Sequence, residues 1–369
     1  MSRRAGGLPC WARFVLESRL NWLLLLVPLS LLLDLLRAPS TLVFAVSALA
    51  IIPLAELIGR TTEQLANRVG PGLGGFLNAT FGNATELIIS LFALHQGLIT
   101  VVQAGISGSI IGNILLSLGL AMFLGGWGRE KQLFNRTRAG ANAALLFLAT
   151  VALVMPAVFD LAVAGTLAPR TPGELPIGFL VSIVLLGTYT ASLLFSLRTH
   201  RSVFQVVAIE PQERQLSLRE SASLLLVVTV VTAVEAELLV STISTAAAAL
   251  GISELFTGVI VIGTIGNAAE YYSALSMARK DRMELAMNIA AGSATQIALF
   301  VAPLLVLVSF AIRQPLSLVF SIFEVAGVTL SVLAFAIVSL DGESTWFEGV
   351  ELVAVYLVLA IVLFFVPGG

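Results

Sequence analysis

The sequence predicts an all-α polytopic membrane protein: one leading transmembrane helix followed by two inverted five-helix repeats. Three observations carry that prediction. The 369-residue chain is 58% hydrophobic and only 11% charged, where a soluble domain runs at roughly 25% charged, and its mean hydropathy is +0.99. Its apolar residues fall into about eleven segments of the length that a bilayer requires. A short polar motif, Gly82-Asn83-Ala84-Thr85-Glu86, returns as Gly266-Asn267-Ala268-Ala269-Glu270.

The eleven segments lie at about 20–37, 40–59, 73–95, 98–126, 139–159, 176–198, 221–249, 252–278, 283–311, 315–339 and 347–366. Arg3, Arg4, Arg13 and Arg19 precede the first, in the manner of a signal peptide. No small-x-small cleavage motif follows, so the first segment reads as an uncleaved span. The second carries Glu56, and its helix is expected to run on through Glu63. The longest polar stretch, Thr199 to Arg219, divides the chain. The expected organisation is residues 1–39 as N-terminal segment and first helix, 40–198 as the first repeat, 199–219 as a cytoplasmic linker and 220–369 as the second repeat.

Orientation follows from the basic residues. With the N-terminus cytoplasmic, 17 of the 20 Lys and Arg fall on the cytoplasmic side and only Arg37, Arg170 and Arg313 on the other. That asymmetry is what the positive-inside rule demands, and a wrong span count would scramble it. An odd number of spans then puts the C-terminus on the opposite side. The charges sit in loops, so the net charge of -2 offers nothing to nucleic acid. One cysteine, Cys10, excludes an internal disulfide. Two histidines, His95 and His200, argue against a His-rich zinc or copper site.

The repeat extends beyond the motif. Gly82 to Glu86 and Gly108-Ser109 match Gly266 to Glu270 and Gly292-Ser293 at an offset of 184, while Glu56-Leu57 and Gly70 match Glu237-Leu238 and Gly251 at 181. Five spans per repeat is an odd number, so the second half enters from the opposite face and is inverted. Many secondary transporters are built this way, with the substrate site near the midplane.

Within each copy the amide and carboxylate are three residues apart, on one helix face. An ionisable residue in mid-membrane is expensive and marks function by default. Glu86 and Glu270 facing each other resist joint ionisation. A divalent cation balances both, and oxygen donors suit calcium or magnesium. Such a site holds protons or metal, not both, which is the minimum for an antiporter. Asn83 and Asn267 add neutral oxygens. Gly82 and Gly266 permit a helix break that frees backbone carbonyls. The competing reading is a protonated pair hydrogen-bonded across a helix interface.

The following helix in each half carries Ser109 and Asn113, or Ser293 and Gln296, as candidate pocket lining, with Tyr271 beside Glu270 as a further lining candidate. Gly105, Gly108 and Gly112 also read as small-residue helix packing. Glu56 and Glu237, with Glu235, precede the motif helices. Glu56 and Glu237 are candidates for a proton relay or gate, or are simply solvated near the interface. Glu324 stands alone in an apolar run with its role open. No Walker A, HExxH or GxSxG motif is present, which argues against ATP-driven transport and the common intramembrane hydrolases.

Residues 77–94 around the first motif, Gly263 to Glu270, Gly292 to Phe300 and Asp341 to Gly349 together resemble the calcium/cation–proton antiporters of the cation/calcium exchanger superfamily. The resemblance covers most of the chain. It implies that Glu86 and Glu270 bind metal and exchanged protons, with Asn83 and Asn267 assisting. It also implies calcium export from the cytosol against proton entry, with no cofactor beyond the transported ions. Small cations and membrane lipid are the expected partners, with a homo-oligomer open and the membrane either a bacterial inner membrane or an organelle's. Two departures stand out. Tyr271 follows Glu270 where the family usually has histidine, which bears on ion preference and proton coupling. The central linker is not strongly acidic, which speaks against a calcium sensor there. A sodium-coupled or monovalent exchanger remains the nearer alternative, and a cation channel the distant one.

Overall fold

The computed structural model describes residues 9–69, 74, 77–78, 80–165, 173–199 and 216–367. Among them are thirteen helices: α1 (Cys10–Leu16), α2 (Arg19–Leu35), α3 (Ser40–Val69), α4 (Ala84–His95), α5 (Ile99–Gly126), α6 (Arg136–Ala164), α7 (Glu174–Thr199), α8 (Leu218–Leu250), α9 (Glu254–Gly266), α10 (Ala268–Arg279), α11 (Met283–Ala311), α12 (Ile322–Val338) and α13 (Trp346–Phe364). Seven of these are long and apolar enough to cross a membrane alone: α3, α5, α6, α7, α8, α11 and α13. The bent pair α1–α2 and the shorter α4, α9 and α12 supply the other apolar segments. The fold is that of an all-helical multi-pass membrane protein.

Each expected segment coincides with an apolar helix, and the departures have local causes. The first span is preceded by α1, set at 100° to it. As expected, α3 runs past Glu63, to Val69. The tenth span was expected from residue 315, yet α12 begins only at Ile322. Ser321 and Glu324 form a capping box that fixes this start, Ser321 accepting from Glu324 N and Glu324 from Ser321 N. The residues before it, Leu316 to Phe320, are buried without helix. Gln103 Nε2 satisfies their carbonyls, donating to Ser317 O and Val319 O. Glu324 also accepts from Ser107 at 3.0 Å, so it caps one helix and ties it to α5. The expected linker at 199–219 lies largely outside the described residues.

Helix packing has a two-fold pattern. α3 packs along α8, and α6 along α12; α5 against α13 is matched by α11 against α7, and α11 against α6 by α5 against α12. The α5–α9 seam is at backbone contact. A Cβ on Gly108 would lie 2.2 Å from Val259 O, and one on Gly263 2.6 Å from Gly108 C. The glycine stripe of α5 is therefore a packing face. At one end, β1 (Gln132–Leu133) pairs antiparallel with β2 (Glu343–Ser344). Lys131 Nζ reaches Glu343 at 2.7 Å, and Gln132 Nε2 donates to Ala278 O and Asp281 Oδ1. These contacts join the connections after α5, α10 and α12. The motif from Asp341 to Gly349 thus supplies a strand and the Thr345–Glu348 capping box of α13.

Gly108→Val should destabilise the protein by roughly 1–3 kcal/mol or more, because backbone cannot yield to the added carbons. The control Gly140→Ala, where a Cβ meets nothing within 4 Å, should leave the unfolding temperature in detergent unchanged. Equal unfolding temperatures for the two variants would contradict the seam.

Candidate functional site

Both motif segments break where the glycine permits. Before α4 the chain turns at Gly82 and Asn83, and Asn83 has φ -112° and ψ 32°. Before α10, Asn267 adopts φ -97° and ψ 11°. Each asparagine precedes a half-helix and puts the motif glutamate, Glu86 or Glu270, in its first turn. The positive end of a helix dipole favours negative charge there. The expected segments at 73–95 and 252–278 thus contain the helix breaks that Gly82 and Gly266 were expected to permit. Such breaks are tolerated at membrane depth where protein buries them or a cavity wets them.

A second irregularity, invisible in the sequence pattern, faces the breaks. α5 contains a π-helical turn over Gly112–Ser117, and α11 one over Ile297–Val301. They occupy matching positions of the repeat, beside Asn113 and Gln296. π-turns of this kind recur at functional sites.

Around these four irregularities the predicted polar residues form one connected network. Asn83 Nδ2 donates to Gln296 Oε1 at 2.5 Å, and Ser293 Oγ to Asn83 Oδ1 at 2.9 Å. Asn113 Nδ2 donates to Asn267 Oδ1 at 2.6 Å and to Ser293 Oγ at 3.1 Å. Asn267 Nδ2 donates to Ser109 Oγ and to Gly263 O, each at 2.9 Å. Six of the predicted residues from both halves are thereby joined. Glu86 and Glu270 border this network, close enough to repel one another. Both oxygens of Glu86, Oε2 of Glu270 and Oδ1 of Asn113 are buried without a hydrogen-bond partner. Neither glutamate takes part in the ion pairs among the described residues. Gly266 lies beneath Glu86, where a Cβ would stand 3.3 Å from its Cγ.

Access to the two carboxyls differs. A cavity of about 860 Å³ reaches Glu270, Asn83, Ser293 and Gln296. It is also lined by Glu56, Arg60, Glu63 and Asn67 of α3 and by Ser273, Ser276 and Met277 of α10. Glu86 instead borders a void of about 10 Å³ with Ser90, Gly105 and Ser109. Of the outer candidates, Glu56 lines the cavity and accepts from Ser18 Oγ at 2.8 Å. Its repeat counterpart Glu237 does not line the cavity and is exposed. Tyr271 is not among the cavity-lining residues either. Its buried hydroxyl is wedged against α5, 2.1 Å from where a Gly112 Cβ would be, without a hydrogen-bond partner. The cavity residues Arg60, Glu63 and Asn67 were missed, although Glu56, Arg60, Glu63 and Asn67 recur at helical spacing and mark one polar stripe.

The two carboxyls thus stand on opposed half-helices, with only Glu270 reached from the wide cavity. The model of the family "Sodium/calcium exchanger protein" matches residues 39–198 and 220–365. A Ca(2+)/H(+) antiporter of Aphanothece halophytica is 43% identical over 360 residues, 94% of this chain and 96% of that one. The Ca(2+)/H(+) antiporter ChaA of Bacillus subtilis is 43% identical, over 92% and 96%. The solved structure of native YfkE superposes with a TM-score of 0.80 at 40% identity, covering 92% of this chain and 97% of that one. The chain belongs to the sodium/calcium exchanger family.

Single cysteines in a Cys10→Ser background test the cavity. Ser273→Cys and Ser276→Cys should react with a hydrophilic maleimide, and Ser90→Cys should not. Fast labelling at position 90 with none at 273 would invert the assignment of open and closed sides.

Proposed function

We propose that this chain exchanges calcium for protons across its membrane, with metal and protons competing for Glu86 and Glu270. The observation that carries the reading is the unpartnered pair of carboxyls set among neutral oxygens. A buried, unpaired carboxylate is costly, so the pair calls for protons or for a cation. Calcium takes six to eight oxygen ligands in flexible geometry. Two carboxylates, the amide oxygens of Asn83 and Asn267, backbone carbonyls at the breaks and water from the cavity meet that demand. Ser109, Asn113, Ser293 and Gln296 hold the amides in position. The names of the relatives support calcium and protons as the exchanged pair.

The two halves, 40–198 and 220–369, would alternate by moving one bundle against the other, with 1–39 as the leading helix and 199–219 as a cytoplasmic connector. The distribution of basic residues supports a cytoplasmic N-terminus and a C-terminus on the opposite side. On that orientation the wide cavity opens to the cytoplasm, Glu270 is the carboxyl reached from it, and Glu56 stands on the entry path. Glu237, exposed and away from the cavity, has no gating role in this arrangement. Tyr271 acts by volume: it fixes the start of α10 against the π-turn of α5.

The test is calcium uptake into liposomes carrying the purified chain, under an imposed pH gradient and without sodium. Uptake should collapse on adding a protonophore. Glu86→Gln and Glu270→Gln should each fall to the level of empty liposomes while eluting as folded protein. Uptake driven only by sodium, or unchanged in both variants, would overturn the reading. Tyr271→His, which removes that volume next to Glu270, should shift the calcium preference over sodium in competition; an unchanged preference would show that the wedge has no influence on the site.

A further inference from the structure

Buried carboxyls also lie outside the exchange site, and Glu235 is one of them. Glu235, in the middle of α8, is 0% exposed. It lines neither the cavity nor the void beside Glu86. Among the described residues it has no ion-pair partner. Its Oε1 accepts from Ser30 Oγ of α2 at 2.6 Å, while its Oε2 is buried without a partner. The hydroxyl of Ser47, on α3, lies alongside the same carboxyl. Three helices therefore converge on this one group.

The surroundings of α2 are as telling. It is the leading helix and has no counterpart in the second half. Leu25, Leu32 and Leu35 on it are at least half exposed, as suits a face turned to lipid. Its fully buried position is polar: Ser30 is 0% exposed, and no other residue of Leu26–Leu35 is buried. Repeat symmetry sharpens the point. In the register that pairs Glu56 with Glu237, the counterpart of Glu235 is Leu54, an apolar residue packed with Leu57, Ile58, Leu225 and Val228. The extra helix and the extra carboxyl thus break the symmetry at the same place. A carboxyl facing lipid would be expelled; covered by α2 and bonded to Ser30, it becomes a fastening instead.

We infer that Glu235 is a positioning residue that fastens the leading helix to α8, so that α2 travels with the α3–α8 pair during exchange. It is not a ligand of the transported ions. The travelling part rests on the proposed function; the fastening does not. In this arrangement the carboxyl acts through hydrogen bonding and shape, so glutamine should replace it and leucine should not.

Two measurements test this on the full-length chain. In detergent, Glu235→Leu and Ser30→Ala should lower the unfolding temperature and Glu235→Gln should not, whether or not calcium is transported. In liposomes, Glu235→Gln should keep calcium uptake within about twofold of the unmodified chain. The Ser30→Cys/Glu235→Cys pair in a Cys10→Ser background should be slower by roughly tenfold, the order of one lost buried hydrogen bond, with unchanged half-saturating calcium. Joining the two thiols with a short bifunctional reagent should restore the rate. Loss of uptake in Glu235→Gln would make Glu235 a transport ligand and overturn the inference. So would a cross-link that stops uptake reversibly, since the helices would then have to slide past one another, or a cysteine pair as fast as the unmodified chain. Failure of uptake in the unmodified chain would count against calcium exchange, and the unfolding temperatures would still decide the fastening.

Discussion

The cost of two carboxyls inside a membrane governs this structure. A charge at that depth needs a partner, and among the described residues neither Glu86 nor Glu270 has a basic one. The protein meets the cost with backbone rather than with arginine. It breaks two helices so that each carboxyl sits at a helix N-terminus, and it surrounds the pair with amides and hydroxyls that are already bonded to one another. An arginine would have filled the site permanently. Neutral oxygens leave room for the exchanging ions that we propose.

Much else follows from keeping that arrangement rigid. The seam of Gly108 against Val259 and Gly263 brings α5 to backbone contact with α9. The π-turns of α5 and α11 aim Asn113 and Gln296 at the opposing asparagines. The strand pair β1–β2 and the bonds of Gln132 tie three connections at one end. By contrast, α3 carries a polar stripe along the open cavity and packs lengthwise on α8. A stiff body around the site and a long helix pair beside the cavity suit the alternating motion proposed above.

The sequence made the architecture legible because its signals are strong: apolar segments of membrane length, a one-sided distribution of basic residues and a motif repeated in register. It made most of the candidate site legible because Glu86, Glu270, Asn83 and Asn267 are polar where polarity is costly. What it hid has physical reasons. A π-turn adds one residue to a helix turn without a composition signal, so the bends beside Asn113 and Gln296 leave no trace in the pattern. Hydropathy cannot tell a buried coil from a helix, so the run from Pro315 to Phe320 read as span, although Ser321 and Glu324 spelled the capping box. Glu235 and Glu237 are two residues apart, hence on different helix faces. Repeat register favoured Glu237, but the structure buries Glu235. Tyr271 follows a ligand candidate, yet its long ring carries the hydroxyl past the pocket to Gly112.

Protons and calcium, as proposed, exclude one another at Glu86 and Glu270. This exclusion is tested most directly without any membrane gradient. Calcium would be added to the purified protein in weakly buffered detergent solution while binding and proton release are recorded together. Calcium binding should release protons and strengthen as pH rises, and the Glu86→Gln/Glu270→Gln chain should neither bind calcium nor release protons. Calcium binding with no proton release at any pH would contradict that exclusion, because metal and protons would then occupy different places.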